Sequence, residues 1–291
     1  MPELDLKALK QYLNKIMENF KLFLLILWGV FLFFLVFLFI NHIRYKKWLK
    51  QLEKKPLTDE EKNFLNKIEI YKKLPDNLKQ ILAFKIHRFK KEKQFVGIGL
   101  EINEEIKTVI SFFACLPTLY YKYFCYPSLK YIYVYPHTVI LNTSSQKNGI
   151  VSKEEILISG EAVGESVVIV WNESKKEAYH NLGRNVVIHE FAHELDFEEG
   201  AIDGIPPLPY SQYAQWGKIM FKEYNKLKNK ILKRHFLGKY SFIDKYAATN
   251  KAEFFAVMSE YYFMKPYLLK KHFPNIYKEL KNFYKVETNV C

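Results

Sequence analysis

His189-Glu190-Phe191-Ala192-His193 sets two imidazoles four residues apart with a carboxylate between them. On an α-helix, positions i and i+4 lie about 40° apart and one turn along, so both rings can face one metal ion. Glu190, beside the first ring, can then reach a water held by that ion. Such a set supports metal-assisted hydrolysis: a polarised carbonyl, an activated water, and a carboxylate to take the water's proton. Asp196 extends the series His189, His193, Asp196 at i, i+4, i+7, where a carboxylate could orient a ligating histidine.

A zinc site of this kind wants a third protein ligand and an open position for water. Glu253 and Glu260 follow at i and i+7 in the stretch Thr249 to Glu260. They share a helix face but stand about 10 Å apart along the axis, so both cannot ligate one ion. Asn250-x-x-Glu253 also reads as a capping box at a helix start, and spacing leaves the choice between the two carboxylates open. His137 and His180 stand alone and read as surface or packed residues. Cys115, Cys125 and Cys291 are an odd count without CxxC spacing. They argue against a disulfide framework and a cysteine zinc site, and for a reducing compartment.

The elements that must position these groups can be read from periodicity. Ile188, Phe191, Ala192 and Leu195 recur at i, i+3, i+4, i+7 and give the metal-motif helix a buried stripe, so a helix is expected over about 184–198. Further helices are expected over 211–236, 250–264 and 266–285. Upstream, helical spacing runs over 59–95 with a break at Leu74-Pro75, and again over 103–121. Between them lie short runs rich in β-branched and aromatic residues at 131–135, 138–141, 156–158 and 167–171, which fit strands. The run Val167 to Trp171 is a candidate edge on which a peptide could pair as an added strand. The expected architecture is α+β, helices around a small mixed sheet.

The 19 residues from Leu22 to Ile40 carry no charge. As a helix they span about 28 Å, close to the hydrocarbon thickness of a bilayer, and they are apolar on every face. No small-residue cleavage site follows, so an uncleaved transmembrane anchor is expected rather than a signal peptide. Four lysines precede the run and six basic residues follow closely, which places the C-terminal side in the cytoplasm. The chain then divides into 1–45 with the anchor, a basic juxtamembrane linker at 46–58, and a domain at 59–291. The net charge is +13, of which residues 1–55 hold +6. Much of the basic excess therefore flanks the anchor, no docking element for nucleic acid is visible, and none is expected as a partner. At 49% hydrophobic, with Gly and Pro at only 11 each, the chain is neither disordered nor collagen-like.

Residues 183–197 (Gly-Arg-Asn-Val-Val-Ile-His-Glu-Phe-Ala-His-Glu-Leu-Asp-Phe), followed by Gly204-Ile205-Pro206-Pro207, resemble the zinc-dependent peptidases of the Mlc titration factor A (MtfA) family. The resemblance continues in the aromatic run 131–136, in Ser159-Gly160-Glu161-Ala162 with the strand after it, and in residues 246–257. In matching order it covers about residues 70–285. It implies a gluzincin-like, zincin-type metallopeptidase fold, in which His189 and His193 match the histidine ligands and Glu253 the glutamate ligand of Zn2+. By the same resemblance Glu190 matches the catalytic glutamate, Tyr246 a tyrosine that assists at the site, and Glu260 becomes a helix-face or supporting residue. Some members carry a further histidine upstream of the Ser-Gly-Glu-Ala stretch that can occupy the metal, where this chain has Ser152-Lys153-Glu154. An N-terminal anchor is a further departure from soluble members.

The expectation is thus a single-pass protein of the inner (cytoplasmic) membrane, with a zinc metallopeptidase domain in the cytoplasm acting on peptide or protein substrates. A second reading is a regulatory zinc fold that binds a protein partner such as a transcriptional repressor, since the family's namesake binds one, with catalysis secondary or absent.

Overall fold

A computed structural model describes residues 6–147, 150–158, 160–163, 165–198, 200–233 and 238–287, with side chains given for 9–138 and from 165 onward within those limits. Cys291 lies outside the described residues. The chain divides into two units, Met1–Lys54 and Lys55–Cys291. The described part of the first is built on one helix, α1 (Leu6–Glu53), with a mean hydropathy of 3.1 over its most apolar window and none of that window buried. It is long and apolar enough to cross a membrane. This helix runs on to Glu53, so that 46–53 of the basic stretch 46–58 are helical.

In the second unit, α2 (Asp59–Leu65) begins at a reciprocal cap: Thr58 Oγ1 accepts the Glu61 N–H, and the Glu61 carboxylate accepts the Thr58 N–H. After α3 (Glu69–Lys73) the chain breaks at Leu74-Pro75, and α4 (Asp76–Glu92) follows. β1 (Gln94–Gly97) then forms where helical spacing had been read as far as Phe95. α5 (Glu104–Cys115) is capped by Asn103 and stops short of 121, because Pro117 turns the chain into a short 3-10 segment.

β2 (Tyr131–Tyr135) lies parallel to β1. β3 (Val139–Lys147) and β4 (Ile150–Ile158) pair with each other in antiparallel register as a separate two-stranded ribbon. Ser152, Lys153 and Glu154 fall on β4, outside the described side chains. β5 (Gly160–Val163) and β6 (Ser166–Val170) complete a four-stranded mixed sheet in the order β1-β2-β6-β5, with only β5 antiparallel. This corrects the edge reading of Val167 to Trp171. β6 is hydrogen-bonded on both sides, Trp171 is already the first residue of α6 (Trp171–His180), and the edges of this sheet are β1 and β5.

α7 (Val186–Phe197) carries the metal motif, and α8 (Tyr213–Leu232) and α9 (Lys251–Met264) follow. The single helix expected over 266–285 is two, α10 (Pro266–His272) and α11 (Pro274–Tyr284), because Pro274 has no N–H to continue the ladder. The result is an α+β domain.

Packing fixes α7 from beneath. Val187, Ile188, Phe191 and Ala192 are fully buried, and Phe191 meets the rings of Phe89 on α4 and Tyr126 at 5.6 and 4.9 Å. Tyr126 belongs to the loop after α5, which two buried cations, one on α4 and one at its C-terminal cap, hold in place. Lys85 donates to the carbonyls of Tyr121 and Phe124, and Lys93 to those of Tyr126 and Leu129. Burial pushes the Lys85 ammonium down to about 8. α9 is apolar on nearly all sides, as a central core helix must be, and it lies against α7.

Candidate active site

Asn185 starts α7: its side chain accepts the Ile188 N–H at 3.0 Å, and the residue is fully buried. His189 and His193 then stand one turn apart with ring centroids 5.0 Å from each other. α9 starts the same way, with Asn250 Oδ1 accepting the Glu253 N–H at 2.8 Å. Only half of the expected capping box forms: the Glu253 N–H serves the Asn250 cap, while its carboxylate turns to the histidines. Glu253 Oε2 lies 3.1 Å from His189 Nε2, and Oε1 lies 3.4 Å from His193 Nε2.

These three residues form a group that could hold a metal, with one atom from each lying within 4.8 Å of the others. The donor set fits zinc. Ligands at 2.0–2.1 Å in a tetrahedron stand about 3.3 Å from one another, close to the two separations just given. Among the described residues no other group of His, Cys, Asp and Glu meets the same test. His137 faces Asn172, 3.1 Å away, and His180 is exposed. Cys115 and Cys125 are buried free thiols.

The charges in the site lock one another. Burial opposes the charge on both His189 and Glu253, but their hydrogen bonding outweighs it, holding His189 up at about 10 and Glu253 down at about 2. Glu260, the other carboxylate of α9, reaches the far side of the same ring: its Oε2 is 3.5 Å from His189 Nδ1. Two groups too far apart to share an ion thus share an imidazole. Tyr246 lies in a short 3-10 turn before α9, and its hydroxyl donates to Glu253 Oε1 at 3.2 Å. Burial, with Glu253 and Glu190 nearby, pushes its phenol up to about 12, so it remains a donor. Glu190 is 5% exposed and lines the cavity of about 960 Å³ into which His189, His193, Glu253 and Tyr246 also open.

Asp196 does something other than orient a histidine. Its two oxygens accept the N–H groups of Gly204 and Ile205, both at 2.8 Å, and it is fully buried. Gly204 sits at φ +82°, where a Cβ would come 2.5 Å from the Lys251 carbonyl, and its own carbonyl accepts from Trp216 Nε1. Asp196 therefore seats a loop against the first turn of α9, tying the helix of the histidines to the helix of Glu253. The i, i+7 phase identified its face but not its partners. Sequence reasoning also missed Glu177 on α6, which accepts the Val186 N–H at 2.8 Å and pairs with Arg184 at 2.9 Å. No pattern in that polar helix pointed to it.

A family model described as glucose-regulated metallo-peptidase M90 matches residues 41–285. A Synechocystis protein, slr2042, is 31% identical over 258 residues, 84% of this chain and 91% of its own length. The Mlc titration factor A of Serratia proteamaculans is 30% identical over 190 residues, 64% of this chain and 71% of that protein. The protein of the same name from Escherichia coli O1:K1 is 29% identical over 201 residues, covering 68% and 75%.

Proposed function

The chain belongs to the M90 family of metallopeptidases, together with the Mlc titration factor A proteins, and we propose that it hydrolyses peptide bonds with a zinc ion held by His189, His193 and Glu253. The observation that carries this reading is the meeting of one oxygen or nitrogen from each of these residues beside Glu190 in one cavity. Zinc, when bound, would lower the pKa of a water and polarise the scissile carbonyl. Glu190 would take the water's proton and deliver it to the leaving amine. The Tyr246 hydroxyl would donate to the oxyanion as it develops, released from its bond to Glu253. Leu182 and Ile202, about half exposed at the cavity wall, would meet apolar parts of a substrate. The free edge of β5 would be where an extended peptide pairs.

The test uses the full chain in detergent. About one zinc per chain and a peptidase activity abolished by a chelator and restored by zinc are expected. Metal-independent hydrolysis, or no hydrolysis with zinc bound, would sink the catalytic reading. The second outcome would favour the other role, a zinc fold that captures a regulatory protein, which the names of the Mlc titration factor A relatives suggest.

We also propose that α1 anchors the chain in the inner membrane with the second unit in the cytoplasm, supported by its length, its apolar surface and the basic residues after Ile40. In sealed right-side-out vesicles the second unit should resist added protease until detergent is supplied. Digestion without detergent would reverse the orientation.

A further inference from the structure

α9 offers one carboxylate to each nitrogen of the His189 ring: Glu253 to Nε2 and Glu260, two turns on, to Nδ1. Glu260 has a second bond. Its Oε1 accepts the backbone N–H of Asn185 at 2.9 Å, the residue whose side chain caps α7. Both of its oxygens are therefore committed, one to the start of the metal-motif helix and one to the first imidazole on that helix. The side chains of Glu260 and His189 are only 13% and 12% exposed, so water competes weakly for either contact.

On the zinc reading given above, we infer that Glu260 is a positioning residue for the metal. By accepting from Nδ1–H it fixes the ring in the tautomer whose Nε2 lone pair faces Glu253 and the cavity. By accepting from the Asn185 N–H it fixes the origin of α7 to the same carboxylate. A histidine ligand whose other nitrogen is held by a carboxylate is better oriented and more basic, and such partners commonly contribute 10- to 100-fold to metal affinity. Glutamine cannot substitute. It has one acceptor oxygen for two donors, so if that oxygen keeps Asn185, its NH2 faces Nδ1 and favours the tautomer with the proton on Nε2. Glu177 is the natural control, since it accepts the neighbouring Val186 N–H and pairs with Arg184 rather than with the imidazole.

The experiment measures zinc affinity of the full chain in detergent by competition with a chromophoric chelator, for wild type, Glu260→Gln, Glu260→Asp and Glu177→Gln. The visible spectrum of the cobalt(II) forms is recorded alongside. Glu260→Gln should lose about 10- to 100-fold in affinity and change the cobalt spectrum. Glu260→Asp, which keeps both acceptors and the charge, should recover part of the loss, and Glu177→Gln should bind as wild type does. A loss below about tenfold in Glu260→Gln overturns the inference. So does an equal loss in Glu177→Gln, which would reduce Glu260 to a helix cap. Should Glu260→Gln not fold, Glu260→Asp compared with Glu177→Gln carries the test: equal affinities overturn the inference, and a weaker Asp form supports it. Wild-type protein that binds no zinc would instead overturn the metal reading itself.

Discussion

Glu190→Gln is expected to lower peptide hydrolysis by about 10²–10⁴-fold while the protein still retains about one zinc per chain. The substitution preserves shape and removes only the ability to accept a proton. Glu190 sits between the two histidines in sequence but is not one of the three residues whose atoms converge, so exchanging it leaves those three in place. At 5% exposure its side chain is largely buried at the cavity wall, so few solvent molecules reach the position its carboxylate would serve as base. Retained zinc with lost hydrolysis separates a base from a ligand, whereas loss of both would move Glu190 among the residues that hold the ion. A Glu190→Gln protein that cleaves at the wild-type rate would remove the mechanism altogether. The same variant bears on the binding reading, because a protein partner that recognises the fold should be captured equally by both forms.

What the sequence revealed, and what it concealed, follows the range of the interactions involved. The helix of the histidines was legible because a single phase of apolar residues, Ile188 to Leu195, determines which side is buried. α6 and β1 were not: Trp171–His180 is mostly polar and Gln94–Gly97 is four residues long, so neither presents enough period to read. Strand order is not local information, and β6 could be taken for an edge until β2 and β5 were seen on its two sides. The Glu253 and Glu260 pair shows the same limit at the site. An axial separation of about 10 Å excluded joint ligation. It did not show that a ring between two helices could meet one carboxylate at each nitrogen. Asp196 erred in the opposite sense, since its face was right and its partners were two amides in a loop eight and nine residues on.

In protein stripped of metal, zinc affinity is expected to rise about tenfold per pH unit from about pH 7 to about pH 9. An imidazole at its ordinary value of about 6.5 would give a flat response over that range. Here burial disfavours the charged ring, yet bonding to Glu253 and Glu260 prevails, and His189 keeps its second proton up to about 10. A metal must take the Nε2 lone pair, so one proton leaves per ion bound, and each unit of pH makes that departure tenfold easier. The stability of the stripped protein runs the other way. A raised His189 stabilises the fold fully below about 6.5, and that contribution fades as pH rises through about 10. Glu253, held down at about 2, contributes fully above about 4.5 and loses its share as pH falls through about 2. These are two ends of one ion-paired cluster, counted once, and the cluster is whole between about pH 4.5 and 6.5. The gap in melting temperature between zinc-loaded and stripped protein should therefore widen from about pH 6.5 to 9, because zinc binding strengthens as the ion pair weakens. Affinities measured in zinc buffers at fixed free metal decide it. A plateau above about pH 7 would mean that His189 is already neutral there, and that the two carboxylates of α9 do not hold its proton.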